Sequence, residues 1–153
     1  MVSRSGGPDG FDELRTWRWR VTDYLEKIKG RPMPFAVSMG VTFVEAQLDR
    51  VVATMVVRAD LCTRGSTIHG GAVMAFADAV GAAATVINLP ADAKGTTTLE
   101  SKTNFIKGAA EGSTVKAIAT PVHRGRRTQV WQTRLENDQG GLIATITQTQ
   151  LVL

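Results

Sequence analysis

His69-Gly70-Gly71-Ala72-Val73-Met74-Ala75-Phe76-Ala77-Asp78-Ala79 is the stretch whose reading decides the fold. It opens a run of small and apolar residues from Gly70 to Ala91 in which Asp78 is the one ionisable side chain. This composition predicts a buried helix from about Gly70 to Ile87, since its Ala and Gly content suits a protein interior better than a membrane. A buried carboxylate is expensive unless it is paired or functional. Asp78 therefore has two readings: a working group, or a residue on a wet stripe or capping a neighbouring loop. The helix start has two readings as well. His69-Gly70-Gly71 lets backbone N–H groups approach a ligand without Cβ obstruction, where first-turn donors lack partners and the helix dipole is positive. Such a place can hold an oxygen that gains negative charge, and the same glycines also serve an ordinary helix start.

Spacing then bears on assembly. Gly70 and Asp78 are eight residues apart, or about 12 Å along a helix axis. One helix cannot readily place both around a single carbonyl carbon. Two antiparallel copies across a two-fold axis would bring Gly70 of one towards Asp78 of the other. Ala75, Ala79, Ala82 and Ala83 offer the small surface for that approach. The expectation is a site at a dimer interface, provided both residues act on one substrate.

Working outward, residues 1–10 are polar and glycine-rich without the apolar region of a signal peptide, and read as a flexible tail. Phe11, Leu14, Trp17, Val21, Leu25 and Ile28 recur every three or four residues. They predict an amphipathic helix over 11–30, stopped by Gly30 and Pro32. Within it, Trp17 and Trp19 among Arg15 to Arg20 read as a docked aromatic face with a wet Arg side. From 31 to 153 the pattern fits one domain. Phe35, Val37, Met39, Val41 and Phe43 alternate, which predicts a strand. A second strand near Arg50 to Val57 follows Asp49 and completes a hairpin. Beyond a polar loop and the central helix, four strands are expected near Thr97–Phe105, Thr114–Val122, Thr128–Asn137 and Leu142–Val152. Gly108 and Gly112, then Arg124-Gly125-Arg126, then residues 137–141 punctuate them. The short connections predict an antiparallel meander, and one sheet with one very apolar helix must wrap it. The fold class is α+β.

Composition narrows the function. Cys62 is the only cysteine, so no intrachain disulfide forms; with the polar N-terminus this favours a reducing, cytoplasmic setting. The net charge of +4 suits an anionic ligand but is too scattered for nucleic acid. The two His residues and Cys62 lack metal-ligand spacing. The chain has no G-x-x-x-x-G-K-[ST] phosphate loop and no convincing dinucleotide fingerprint. Without a Cys–His signature, Cys62 reads as an ordinary thiol.

The order of elements, with His69-Gly70-Gly71 and Asp78 nine residues after the His, resembles the hotdog-fold thioesterases of the phenylacetate-pathway type. The resemblance runs from about Phe35 to Leu153. It includes Asn104-Phe105-Ile106-Lys107, His123-Arg124-Gly125-Arg126-Arg127 and Gly140-Gly141-Leu142-Ile143-Ala144. It implies a single hotdog domain, an antiparallel sheet wrapped around a central helix, that hydrolyses an acyl-CoA thioester to free acid and coenzyme A. No cofactor is implied, coenzyme A being part of the substrate, and the chain is expected to self-associate as a homodimer or dimer of dimers. The same resemblance makes Asp78 the general base or nucleophile and Gly70 N–H the group polarising the carbonyl. His69, with Gly71 beside it, would help orient substrate, and Thr98 would position the carboxylate or water. Lys107, Arg124, Gly125, Arg126 and Arg127 would meet the coenzyme A phosphates, which suit Arg geometry. One departure stands out. Where the family carries Asn-x-x-Gly-x-x-His, Thr63 occupies the amide's place and Gly65 lies one residue too far from His69. That keeps a non-catalytic acyl-CoA sensor or carrier open, and ahead of a hotdog hydratase, whose Asp-x-Asn-Pro-x-His pattern is lacking.

Overall fold

The computed structural model describes residues 24–153; most of the expected 11–30 helix and the expected tail lie outside the described residues. In chain order the elements are α1 (Tyr24–Lys29), α2 (Pro34–Met39), β1 (Thr42–Gln47) and β2 (Arg50–Val56), then a 3-10 turn at Ala59–Leu61. A ribbon of β3 (Cys62–Thr63) and β4 (Thr67–Ile68) leads into α3 (Gly70–Ile87). Four longer strands follow: β5 (Thr96–Phe105), β6 (Thr114–Arg124), β7 (Thr128–Asn137) and β8 (Leu142–Val152). Six of the strands form one antiparallel sheet in the order β1-β2-β6-β7-β8-β5, and α3 packs across it.

Burial explains the arrangement. Val73, Phe76, Ala77, Val80, Ala84 and Ile87 of α3 are buried, facing a floor that includes Val51, Met55, Val115, Trp131, Leu135 and Ile146. Each large side chain removed from water contributes roughly 1.5–3 kcal/mol, so this contact outweighs any single surface interaction. Among the described residues α3 is the one helix long and apolar enough to cross a membrane, but 56% of it is buried inside the protein.

Two expectations need correction. The alternation from Phe35 to Phe43 does not make one strand, because Pro34–Met39 is helical and the strand begins only at Thr42. Pro34 stands at the helix start, where a fixed φ and a missing N–H are both acceptable. Gly40 ends the helix at φ +80, with Gly40 N–H donating to Val37 O and Val41 N–H to Ala36 O. Ala36 and Met39 are buried at helical spacing while Phe35 and Val37 stay exposed. The second correction concerns the meander, which holds only for β6-β7-β8. β5 pairs with β8 along its length, from Thr96↔Val152 to Phe105↔Ala144, and forms an edge of the sheet. The turns between β6, β7 and β8 are tight, whereas residues 106–113 are long enough to carry the chain past two strands spaced about 4.8 Å apart.

The tightest approach of α3 to the sheet is at Gly81, where an added Cβ would overlap the side-chain amide of Gln148 on β8. Gly81→Ala would gain helix propensity of up to about 1 kcal/mol, but overpacking a buried contact costs about 1–3 kcal/mol. The expected net result, read by thermal unfolding, is a melting temperature lower by a few degrees. An unchanged or higher value would show that Gln148 yields freely.

Candidate active site

Asp78 lies mid-way along α3, half-buried, and its carboxylate is held from the sheet. Thr98 Oγ1 on β5 donates to Asp78 Oδ1 at 2.9 Å. On β8, Gln150 Nε2 donates to Thr98 Oγ1 at 2.8 Å, and Gln148 Nε2 reaches Asp78 Oδ1 at 3.4 Å and the Asp78 carbonyl at 3.5 Å. The β5–β8 register sets this up by placing Thr98 directly opposite Gln150, just before a bulge at Leu99.

At the start of α3, His69 is the N-cap, with extended backbone (φ −70, ψ 138). Its Nδ1 accepts from Gly71 N–H at 2.8 Å, so the neutral imidazole carries its proton on Nε2. Main-chain bonds from His69 N–H to Leu61 O and from Ile68 N–H to Ala109 O anchor the incoming chain. The N–H of Gly70 has no acceptor among the described residues. The Phe105 ring closes over Gly70, where an added Cβ would stand 3.2 Å from it.

A groove flanks each side of this helix start. One, of about 330 Å³, is lined by Ile68, Gly70, Val73, Phe105, Ile106 and Lys107. The other, of about 370 Å³, is lined by His69, Gly71 and Ala75 together with Phe35, Met39 and Leu61. Asp60 and Cys62 border the second groove. The hydrogen bond from Arg58 holds the Asp60 carboxyl below its usual range, and Arg58 also donates to Ser38 O, tying α2 to the groove rim. Burial first, then the charges of Glu111 and Asp60, push the Cys62 thiol up. It stays a neutral wall of the groove, since the thiolate is the nucleophilic form.

The structure does not gather all the residues expected to act together. Lys107 is exposed beside Gly70, but Arg124 to Arg127 lie at the far end of α3. There Arg124 donates to Leu48 O and to Oδ1 of Asn88, the C-cap of α3, and Arg126 pairs with Asp92 at 2.8 Å. Gly125 forms the turn there, its N–H donating to Thr128 O. Over 18 residues, α3 separates these groups by about 27 Å. Thr63 is exposed in β3 opposite Thr67 and lines neither groove. Ala79 and Ala83, expected on a free small face, are buried within the chain, which leaves Ala75 and Ala82 half-buried.

The thioesterase superfamily model matches residues 65–144, which span the end of the loop before α3, all of α3, and strands β5 to β7 with the start of β8. The chain belongs to the thioesterase superfamily. It is 30% identical over 105 residues to the 1,4-dihydroxy-2-naphthoyl-CoA hydrolase of Escherichia coli, covering 69% of this chain and 76% of that protein. Among solved structures it is similar to a point mutant of thioesterase PA1618 from Pseudomonas aeruginosa. That match has a TM-score of 0.78 at 26% identity, over 88% of this chain and 97% of the other. A point mutant of the phenylacetic acid degradation protein PaaI from Thermus thermophilus matches at a TM-score of 0.72 and 27% identity, over 79% and 100% of the two chains. The protein is a hotdog thioesterase of the PaaI-like type.

Sequence reasoning about this thioesterase missed Gln148 and Gln150. A signal was present: Ala144, Ile146, Gln148 and Gln150 alternate along β8, and all are buried. Two amides at inward positions of a core strand need partners, and an unpaired carboxylate on the facing helix is one.

The helix cap is open to test. In Gly71→Ala the added Cβ would stand 2.9 Å from His69 Nδ1 and displace the imidazole. Loss of an N-cap costs about 0.5–2 kcal/mol. Urea unfolding is expected to show that loss, and ring-nitrogen NMR a changed Nδ1 environment. Unaltered stability and ring signals would show that His69 does not cap α3.

Proposed function

We propose that this thioesterase hydrolyses an acyl-CoA to a free carboxylic acid and coenzyme A, with Asp78 as its catalytic carboxylate, at sites formed between two copies of the chain. The Asp78–Thr98 hydrogen bond carries the reading: the one ionisable side chain of an apolar helix is held as an acceptor rather than released to solvent. Gly70 N–H, with no acceptor among the described residues, binds the thioester oxygen as it gains charge. Asp78 activates water or attacks directly, and His69, with its proton on Nε2, orients the substrate. The CoA thioester named for the Escherichia coli relative supports the substrate class.

Distance supports a shared site, provided Gly70 and Asp78 act on one substrate. About 12 Å along α3 separates Gly70 from Asp78, so one carbonyl meets both only if two helices lie antiparallel. The outer edge of β5, beside Thr98, offers backbone groups for pairing with a second copy. With Gly70 of one chain level with Asp78 of its partner, the partner's Asn88 end lies ten residues, or about 15 Å, beyond the carbonyl. That span is of the order of an extended pantetheine arm. It supports a reading in which the turn 124–127 that meets the phosphates comes from the partner subunit rather than from the same chain, with Lys107 nearer the thioester. The enzyme works in the cytoplasm with Cys62 as a free thiol, and the chemistry needs no cofactor. A second reading, acyl-CoA binding without turnover, is favoured by Thr63, which brings no amide to Gly70.

Free-thiol release from short, long and aromatic acyl-CoAs tests both readings. Wild type is expected to turn over at least one, and Asp78→Asn to lose on the order of 10²–10⁴-fold. Retained turnover in Asp78→Asn overturns the role of Asp78. Saturable binding without any turnover favours the second reading. Sedimentation during turnover checks assembly, and an active monomer would overturn the shared site.

A further inference from the structure

We infer that Gln150 is a positioning residue for the thioesterase reaction, acting on Asp78 through Thr98, and that the chain Gln150–Thr98–Asp78 leaves Asp78 Oδ2 as the reacting oxygen. This rests on the role proposed for Asp78.

The direction of each hydrogen bond follows from proton count. Thr98 Oγ1 has one proton and two neighbours, Asp78 Oδ1 at 2.9 Å and the Gln150 amide at 2.8 Å. An ionised carboxylate only accepts, so the Thr98 proton goes to Asp78. The Gln150 atom facing Thr98 must then be the donor, Nε2, which turns Oε1 to the Thr96 hydroxyl at 3.1 Å. With a donor against its lone pair, Thr98 cannot rotate its proton away without placing two donors face to face. Successive donors along such a chain also polarise one another and strengthen the final bond.

Burial makes the arrangement costly to disturb. Gln150 and Gln148 are fully buried, and a buried amide left without partners is strongly unfavourable. Gln148 comes within reach of Asp78 because Gly81 has no side chain. Its Nε2 approaches the same oxygen, Oδ1, at 3.4 Å. Thr98 and Gln148 thus both face Oδ1, and no donor among the described residues reaches Oδ2. The two carboxylate oxygens divide their work, Oδ1 fixing the orientation and Oδ2 meeting water or the thioester carbon.

The test is a mutant cycle on the full-length enzyme, with the acyl-CoA that wild type hydrolyses fastest as probe. Gln150→Met keeps the length of the side chain and removes its N–H. It is expected to lower kcat about 10-fold with KM unchanged, in proportion to one hydrogen bond to a charged network. Thr98→Val is expected to lower kcat by about 10-fold or more, and Thr98→Ser, which keeps the hydroxyl, to restore it. The deciding comparison is the double variant. Gln150→Met in the Thr98→Val background should lose nothing further in kcat, because its route to Asp78 is already cut. Full additivity of the two losses overturns the relay, as does wild-type kcat in Gln150→Met. A loss confined to KM or to thermal stability would mark Gln150 as a structural residue only and equally overturns it. Should Gln150→Met not fold, Gln150→Asn, one methylene shorter, withdraws the N–H from Thr98 and is read by the same criteria. No turnover in wild type would overturn the parent reading and this one with it, whereas an active wild type with an indifferent Gln150 removes only the relay.

Discussion

A carboxylate on an apolar helix has to be matched by donors, and much of the site is arranged around that requirement. Asp78 finds them on two strands distant in sequence, Thr98 on β5 and Gln148 on β8. This needs α3 to approach β8 closely, which Gly81 permits, and needs β5 to lie beside β8 in a register that sets Thr98 against Gln150. A sheet in which β5 lay beside β6 would leave Asp78 facing a different set of side chains. The topology of the sheet and the chemistry at Asp78 are therefore one constraint.

The other half of the site follows different physics. At His69-Gly70-Gly71 the backbone itself supplies the donors, and the side chains clear space for it. His69 caps the helix by accepting from Gly71, so that Gly70 N–H remains a donor without an acceptor among the described residues, between two grooves. The length of α3 keeps this end of the helix apart from the carboxylate. The separation keeps the Gly70 N–H and the Asp78 carboxylate from pairing with each other within one chain.

The physics of local pattern succeeded where one local force decides conformation. The helix Gly70–Ile87 and the strands Thr128–Asn137 and Leu142–Val152 stand where their patterns place them, because each pattern matches the face it buries. It failed at Phe35 to Phe43, where alternation of apolar residues looked like a strand. There Pro34 and the left-handed Gly40 bound a short helix, and burial of Ala36 and Met39 overrides the alternation. The family resemblance, for its part, grouped Lys107 with Arg124 to Arg127 as one phosphate-binding set. Along one chain these stand at opposite ends of α3, with Arg124 and Arg126 engaged by Leu48, Asn88 and Asp92.

What the sequence by itself determined is the fold class, the central helix, and the pairing of a glycine-opened helix start with a single carboxylate nine residues after His69. Those depend on periodicity and on the absence of any other charge in the helix, which are local properties. Tertiary structure alone decided that β5 crosses to β8, that Gln148 and Gln150 turn inward beneath Asp78, and that Thr63 pairs with Thr67. Strand order is set by which edge completes the core around α3, and hydrogen-bond partners by the register that results. Both are sums over residues far apart in the chain, which no local pattern encodes.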